Sequence, residues 1–428
     1  MKLAVPLCAF LASISSVVSS TELDEAYGDH LDPMVRDGLI AAYYLAVEKN
    51  GRIEVDRGLG AKGAIDVPDP DKNTTFALFS LSKPIVSVAV LKLVDQGLIE
   101  LDAPLSRYLD EFQSLKLKNG KTVESQPKII NLFTHTAGFS HNRDFRGKSE
   151  LSEAYQSKGL FTLKSMITAD TKGNALALHV NQLAKMPLSS SPGSRFEYSV
   201  STDVLGRLAE VVSGKRLDKF LEEALFAPLG MKATGFYLKD KNRINKATLM
   251  KPLIRTFPVP GTYQRFEPHP PIVKGSSQNL GQEVGLLSGG AGLISTGQDM
   301  ITFASFILNR LTLENGSQFL SESLTSRLFT NQLSSDLGSS PMALKMPYAA
   351  SDGLSLGFSL RPKEAGDWGV NNTKGLDFLY WSGFSSSVLW IDPDNEIAGV
   401  FLSQMRPAQQ FPVAELDNIA DKIVDSRR

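Results

Sequence analysis

Cysteine is almost absent from this chain: Cys8 is the only one in 428 residues. No intrachain disulfide and no cysteine-based zinc or iron–sulfur site can therefore form. Histidine is scarce as well. His30, His135, His141, His179 and His269 show no His-x-x-x-His spacing, and no metal site is expected. Nor is there an excess of charge of either sign, with 45 Lys and Arg against 46 Asp and Glu. A dedicated nucleic-acid binder carries a basic surplus, so that class is excluded. Past the first twenty residues no apolar run is long enough to span a bilayer, and no internal repeat is visible. Apolar residues make up 42% of the chain and charged residues 21%, enough to bury a large core and to argue against wholesale disorder. What remains is a neutral, soluble, globular protein of enzyme size, with length for two or three domains.

The first twenty residues read separately. One positive charge at Lys2 precedes the apolar run LAVPLCAFLASISSVV, which ends in Val18-Ser19-Ser20 before the acidic Glu22 and Asp24. This is the pattern of a secretory signal peptide over 1–20, and it implies an exported protein. Leu7 stands before Cys8 where a lipid anchor needs a small residue. Asn73-Thr74-Thr75, Asn315-Gly316-Ser317 and Asn371-Asn372-Thr373 fit the N-glycosylation pattern and matter only in a host that glycosylates.

Periodicity organises the rest. Ala41 to Glu48, the turn Asn50-Gly51, and Ile53 with Val55 read as a β-hairpin. Ser387–Ile391 and Ile397–Leu402 mirror it around Asp392-Pro393-Asp394-Asn395. Between these ends helical patterns dominate: Pro84 to Asp95 with Gly97 as a stop, 202–213 ending at Gly214, and 299–310 behind the cap signal Ser295/Thr296 with Asp299. A further helix is expected from Pro412 to Ser426. Residues 237–285 and 333–375 are rich in Pro, Gly and Ser and are expected to be loops shaping a site. The fold class is therefore α/β (α+β). One antiparallel sheet is shared by the N- and C-terminal segments and flanked by helices, with a mostly helical insertion between them. The expected sheet domain is discontinuous, 21–100 with 285–428, and the inserted domain spans 101–284.

The leading chemical candidate is Ser80-Leu81-Ser82-Lys83. Serine hydroxyl is a weak nucleophile until a neighbour takes its proton. Residues i and i+3 share a helix face, so Lys83 can approach Ser80 Oγ. At a helix N-terminus the dipole disfavours a protonated lysine and favours negative charge on the serine. The pattern alone is not specific: Ser125-Gln126-Pro127-Lys128 matches it equally well, in what resembles a surface loop. Context favours the first match. Phe196-Glu197-Tyr198-Ser199-Val200 precedes the helix at 202–213, and Tyr380-Trp381-Ser382-Gly383 leads into the C-terminal strands. Leu132–Phe139 is a helix end followed by a turn.

With these residues in order, the chain resembles the β-lactamase-related serine hydrolases: class C β-lactamases, DD-peptidases and, most of all, their esterase and transesterase relatives. Thr134–Gly138, Pro228–Phe236 and Gly289–Thr296 add to the likeness, which spans roughly residues 40–405. The resemblance implies a serine β-lactamase/DD-peptidase-like fold and no metal or organic cofactor. It implies Ser80 as the acylated nucleophile, with Lys83 and Tyr198 sharing and relaying its proton. The backbone N–H groups of Ser80 and Phe384 would form the oxyanion hole. Trp381, Ser382 and Gly383 would stand in the third, substrate-binding motif. Two departures bear on substrate. Where the lactamase branch has asparagine two residues after the tyrosine, this chain has Val200; where its third motif begins with lysine or histidine, this chain has Trp381. A ligand carboxylate facing an indole loses a charge-assisted hydrogen bond. The expected substrate is a small uncharged ester, with possible acyl transfer to an alcohol or amine and weak or no β-lactamase activity. A peptidase acting on D-amino-acid peptides is the alternative, and it would need another cation: Arg195, Lys374 or Arg406. A non-catalytic scaffold of the same fold is a third reading.

Three decoys need their own weighing. Gly353-Leu354-Ser355-Leu356-Gly357 matches the nucleophile elbow of α/β-hydrolases, but that elbow must feed a helix and be followed by a histidine. Residues 358–362 alternate like a strand, and His269 is the last histidine. His135 is expected to fix the turn ending at Gly138 rather than to catalyse. Gly289-Gly290-Ala291-Gly292 is expected to be a tight turn under the site rather than a phosphate cradle.

Overall fold

The first hairpin forms where its turn residues place it. In the computed structural model, strands β1 (Ala42–Lys49) and β2 (Arg52–Gly60) pair antiparallel. Asn50 and Gly51 turn between them with φ of 51° and 74°, angles that Asn and Gly adopt at little cost. The structure describes residues 20–37, 40–62, 67–141, 149–162, 175–237, 250–252, 266–268, 284–333, 337, 353–362 and 376–405. The expected signal peptide, apart from Ser20, and the helix expected at 412–426 lie outside these. So do Lys374, Arg406 and most of 237–285 and 333–375.

Short strands β3 (Thr75–Ala77) and β6 (Ile294–Thr296) pair with each other, as do β4 (Met250–Pro252) and β5 (Phe266–Pro268). The remaining strands are β7 (Gly353–Leu354), β8 (Ser359–Pro362), β9 (Leu376–Ser382), β10 (Val388–Asp392) and β11 (Ile397–Leu402). They complete a seven-stranded antiparallel sheet in the order β2-β1-β11-β10-β9-β8-β7. β1 and β11 are neighbours, with Tyr44 opposite Leu402 and Val47 opposite Gly399. The two ends of the chain thus share one sheet, as the hydrophobic pattern indicates.

Alternation along the strands sorts side chains to two faces. Tyr43, Leu45, Val47, Tyr380, Val388, Trp390 and Phe401 pack with helix α1 (Ser20–Arg36). Tyr44, Ala46, Trp381, Leu389, Ile391, Val400 and Leu402 join the larger core on the other face. Both faces of β1 and β11 are covered, which explains why each reads as a nearly continuous apolar run rather than an alternating one.

Helix α2 (Ser82–Asp95) lies at the centre of the larger core. Ile85, Val86, Val88, Ala89, Val90, Leu91 and Leu93 are all buried, as expected of a helix that is apolar all round. The inserted segment supplies α3 (Ile129–Phe133), α4 (Glu150–Ser157), α5 (Ala175–Leu183), α6 (Ser201–Ser213), α7 (Leu217–Leu221) and α8 (Ala227–Leu229). Helix α9 (Gly297–Leu308) packs on β1, β10 and β11. Its start carries the cap read from the sequence: the Thr296 side chain accepts from the Asp299 N–H at 3.3 Å. Helix α10 (Glu322–Leu328) follows. None of the helices among the described residues is long and apolar enough to cross a membrane.

Helix α1 is held to the sheet by a polar staple as well as by Leu23, Tyr27, Leu31 and Val35. Asp32 accepts from Tyr43 OH at 2.6 Å and pairs with Arg57 Nη2 at 2.6 Å, while Arg57 Nη1 reaches Asp24 at 2.7 Å. Partial burial pushes the Asp32 carboxyl pKa up. Hydrogen bonds from Arg57 and Tyr43, with the Arg57 charge, outweigh that and hold it below the ordinary value. A depressed folded-state pKa contributes stability that is present above the unfolded value and is lost as pH falls through the folded one. Asp32→Asn is therefore expected to lower unfolding free energy by about 1–2 kcal/mol at neutral pH, a figure discounted for the partial exposure of Arg57. In urea melts the difference should shrink below about pH 4; an equal difference at about pH 3 would contradict the role of the charged pair.

Candidate active site

Ser80 sits in the single turn Phe79–Leu81 that leads into α2. The chain bends sharply just before it: Phe79 has φ 48°, a left-handed angle that costs a bulky residue roughly 1–2 kcal/mol. The bend is held by the Leu78 N–H, which donates to Leu293 O at 2.9 Å, and by the edge-on packing of Phe79 against Phe384. The Leu81 N–H closes this turn on Leu78 O at 3.1 Å.

Three of the residues singled out by the sequence meet here. Tyr198 OH donates to Ser80 Oγ at 2.7 Å. Lys83 Nζ lies 3.4 Å from the same oxygen and 4.8 Å from the Tyr198 ring centroid. Lys83 is 3% exposed and donates to Gly290 O at 2.7 Å, so the Gly-rich turn at 289–291 does lie against the site. Tyr198 is held by its neighbours: the Glu197 N–H donates to His135 O, the Val200 N–H to Ser140 O, and the Ser199 N–H to His135 Nδ1.

His135 itself is buried. Its ring stacks on Trp381 (6.0 Å, 17°) and tilts against Tyr198 (5.1 Å, 37°). Burial, and then the Lys83 charge, push its pKa down to about 3. The imidazole is neutral at physiological pH and serves as a wall and an acceptor. His141 stacks on Tyr198 on its own account (5.4 Å, 21°). Trp381 is 3% exposed and belongs to the same aromatic layer. Ser382 ends β9 opposite Val388. Gly383 follows, and a Cβ there would stand 2.7 Å from Leu78 O. That close approach, open only to glycine, brings Phe384 alongside the chain that carries Ser80.

One buried acid went unread in the sequence. Asp203, in the first turn of α6, accepts from Ser288 Oγ at 2.5 Å and from the Gly290 N–H at 3.2 Å. Burial pushes its carboxyl pKa up, against the pull of the Ser288 hydrogen bond and the Lys83 charge. A Cβ on Gly290 would lie 2.6 Å from Asp203 Oδ2 and 3.4 Å from Lys83 Nζ, so the glycine is wedged between the lysine nitrogen and the acid. Asp203 lies off the apolar stripe of Val204, Leu205 and Leu208, so periodicity carries no signal for it. The segment 284–293 covers that side of the helix instead.

The second Ser-x-x-Lys match and the elbow-like segment fall elsewhere. Ser125 and Lys128 are exposed, and Lys128 pairs with Asp102 at 3.1 Å. Ser355 is fully buried in a turn between β7 and β8, with its N–H donating to Phe358 O. The segment is strand–turn–strand, which lacks the helix an elbow feeds. Arg195 is half-exposed and pairs with Glu197 at 2.5 Å. Among the described residues no group of three His, Cys, Asp or Glu is placed to hold a metal ion.

The beta-lactamase family model matches residues 29–422, nearly the whole chain. The chain belongs to the beta-lactamase family of serine hydrolases. It is 30% identical to Esterase EstB of Burkholderia gladioli over 231 residues, 54% of this chain and 55% of that one, so it spans about half the length of that esterase. It is 26% identical to Acyltransferase mokF of Monascus pilosus over 222 residues, 48% of this chain and 50% of that one. In fold it is similar to EstCE1, a hydrolase with promiscuous acyltransferase activity (TM-score 0.71, 22% identity, 94% of this chain and 98% of that one). It is likewise similar to the beta-lactamase/D-alanine carboxypeptidase of Yersinia pestis (TM-score 0.64, 17% identity, 95% and 100%).

In this family member the neutral state of His135 can be tested. His135→Gln is expected to leave the limbs of the pH–rate profile in place between about pH 5 and pH 9. A limb that moves with the substitution would show that the imidazole titrates in that range.

Proposed function

We propose that the chain is an exported serine hydrolase that cleaves small uncharged esters through an acyl-enzyme on Ser80. The observation that carries this reading is the convergence on Ser80 Oγ of Tyr198 OH at 2.7 Å and Lys83 Nζ at 3.4 Å. Ser80 Oγ attacks the ester carbonyl, and its proton passes to the Lys83–Tyr198 pair. The N–H groups of Ser80 and Phe384 hold the developing oxyanion. The alkoxide leaves with a proton returned by the same pair. Water then attacks the acyl-enzyme, its proton following the same route; an alcohol in place of water makes the reaction a transesterification. Export rests on the leader pattern of residues 1–20.

The wall beside Tyr198 supports an uncharged ester over a β-lactam or a peptide carboxylate. Trp381 is buried and stacked on His135, and Val200 is 2% exposed. Neither offers the cation or the amide that such ligands need. Arg195, one of the cations considered for a peptidase, is already paired with Glu197. The name of the Burkholderia gladioli relative, an esterase, points the same way.

The decisive measurement is hydrolysis of p-nitrophenyl acetate and butyrate by wild type, Ser80→Ala and Ser355→Ala, with a cephalosporin run in parallel. Ser80→Ala should lose at least about a thousandfold in kcat/KM, as loss of a nucleophile does, and Ser355→Ala should keep most activity. Turnover of the cephalosporin should be far slower than that of the esters. Equal kcat/KM on both would contradict the substrate reading. A wild type that neither hydrolyses nor is labelled at Ser80 by a fluorophosphonate would contradict catalysis itself.

A further inference from the structure

Gln404 lies two residues beyond β11 and is 5% exposed. Its Nε2 lies 3.0 Å from Ala77 O, 3.1 Å from Ser385 Oγ and 2.8 Å from Ser403 O, acceptors that share its two N–H bonds. Two of these acceptors are carbonyl oxygens, which cannot donate, so the nitrogen end of the amide must face them. Ala77 closes β3, three residues before Ser80. Ser385 directly follows Phe384. A single buried amide therefore ties together the two segments that carry the Ser80 and Phe384 amides.

Packing also joins these segments. Gly383 packs against Leu78 O, and the Phe79 and Phe384 rings meet edge to face at 5.7 Å. The turn after Phe384 is itself under tension, since Ser386 has φ 65° without being glycine. It is held by the Ser386 N–H donating to Gly383 O and by the Met405 N–H donating to Ser385 O at 3.1 Å. Gln404 lies between Met405, whose amide holds the turn, and Ser403, whose N–H donates to Ser387 Oγ at 3.0 Å.

We propose that Gln404 is a positioning residue that sets the width of the oxyanion hole by fixing the Phe384 turn against the segment entering Ser80. The inference rests on the roles given above to Ser80 and Phe384. Oxyanion donors act only when they are aimed in advance at the place where charge develops. A side chain that spans both donor segments governs that aim without touching the substrate.

The test compares wild type with Gln404→Leu, Gln404→Asn and Ser385→Ala. Leucine keeps the bulk and removes the donor, asparagine keeps the donor on a shorter stem, and alanine removes one acceptor. Each is assayed for kcat and KM on p-nitrophenyl butyrate, for affinity toward an alkylboronic acid, and for Tm. A boronate adduct on serine places an oxygen in the hole, so it reports the aim of the donors directly. Gln404→Leu should lower kcat roughly 30-fold, less than the loss from deleting a donor outright, with KM within about twofold. Boronate affinity should fall in parallel. Gln404→Asn and Ser385→Ala should show smaller losses of the same pattern. A lowered Tm with kcat and boronate affinity retained would reduce Gln404 to a structural role and overturn the proposal. Should Gln404→Leu fail to fold, unchanged kcat in both milder variants would overturn it equally. If wild type is inactive and unlabelled at Ser80, the parent reading fails and this one with it; an active wild type beside a fully active Gln404→Leu overturns this one alone.

Discussion

The antiparallel pairing of β1 with β11 is the contact on which the rest of the molecule depends. It fastens strands from opposite ends of the chain into one sheet and gives both α1 and α9 a surface to pack on. Because side chains alternate with a period of two, this register also decides which residues face the helices. Through β10, it puts Trp381 on the side of His135 and Tyr198 and puts Tyr380 on the side of α1. A slip of one residue would send the aromatic layer of the site to the wrong face.

Around the nucleophile, the protein separates a buried lysine from a buried acid with one glycine. Lys83 donates to the carbonyl of Gly290, and Asp203 accepts from its N–H. The Gly290 backbone thus lies between the two side chains, its carbonyl toward Lys83 and its N–H toward Asp203. Such an arrangement satisfies each buried polar group by a hydrogen bond without direct contact between them. Lys83 also stays within reach of Ser80 and Tyr198.

Much of the architecture was legible in the sequence because it is written in short-range chemistry. Asn50-Gly51 and Asp392–Asn395 mark their hairpins, Thr296 with Asp299 marks a helix start, and the all-apolar α2 announces its burial. The Ser80–Lys83 spacing is legible for the same reason, since three residues on a helix are neighbours whatever the rest of the fold does. Tyr198 and Trp381 became interpretable only through their order along the chain and through family likeness, since nothing local distinguishes either from an ordinary core aromatic. Asp203 and Gln404 were not legible at all. Each acts on residues far away in sequence, Asp203 on the turn at 288–290 and Gln404 on Ala77, and neither sits on a periodic stripe or in a turn pattern. Ser355 shows the reverse case, a local pattern that long-range packing has put to another use.

The burial of β1 on both faces also has a meaning in time. Strand β1 is made before its pairing partner β11, which emerges only after every residue between Lys49 and Ile397 has been made. At about 5–20 residues per second that interval is on the order of tens of seconds. Until then the hairpin presents Tyr43, Leu45 and Val47 on one side, Tyr44 and Ala46 on the other, and an open strand edge along β1. A growing chain of this topology therefore carries an unpaired edge and two apolar faces throughout that interval. The same pairing that fixes the finished site leaves the unfinished chain open to wrong partners.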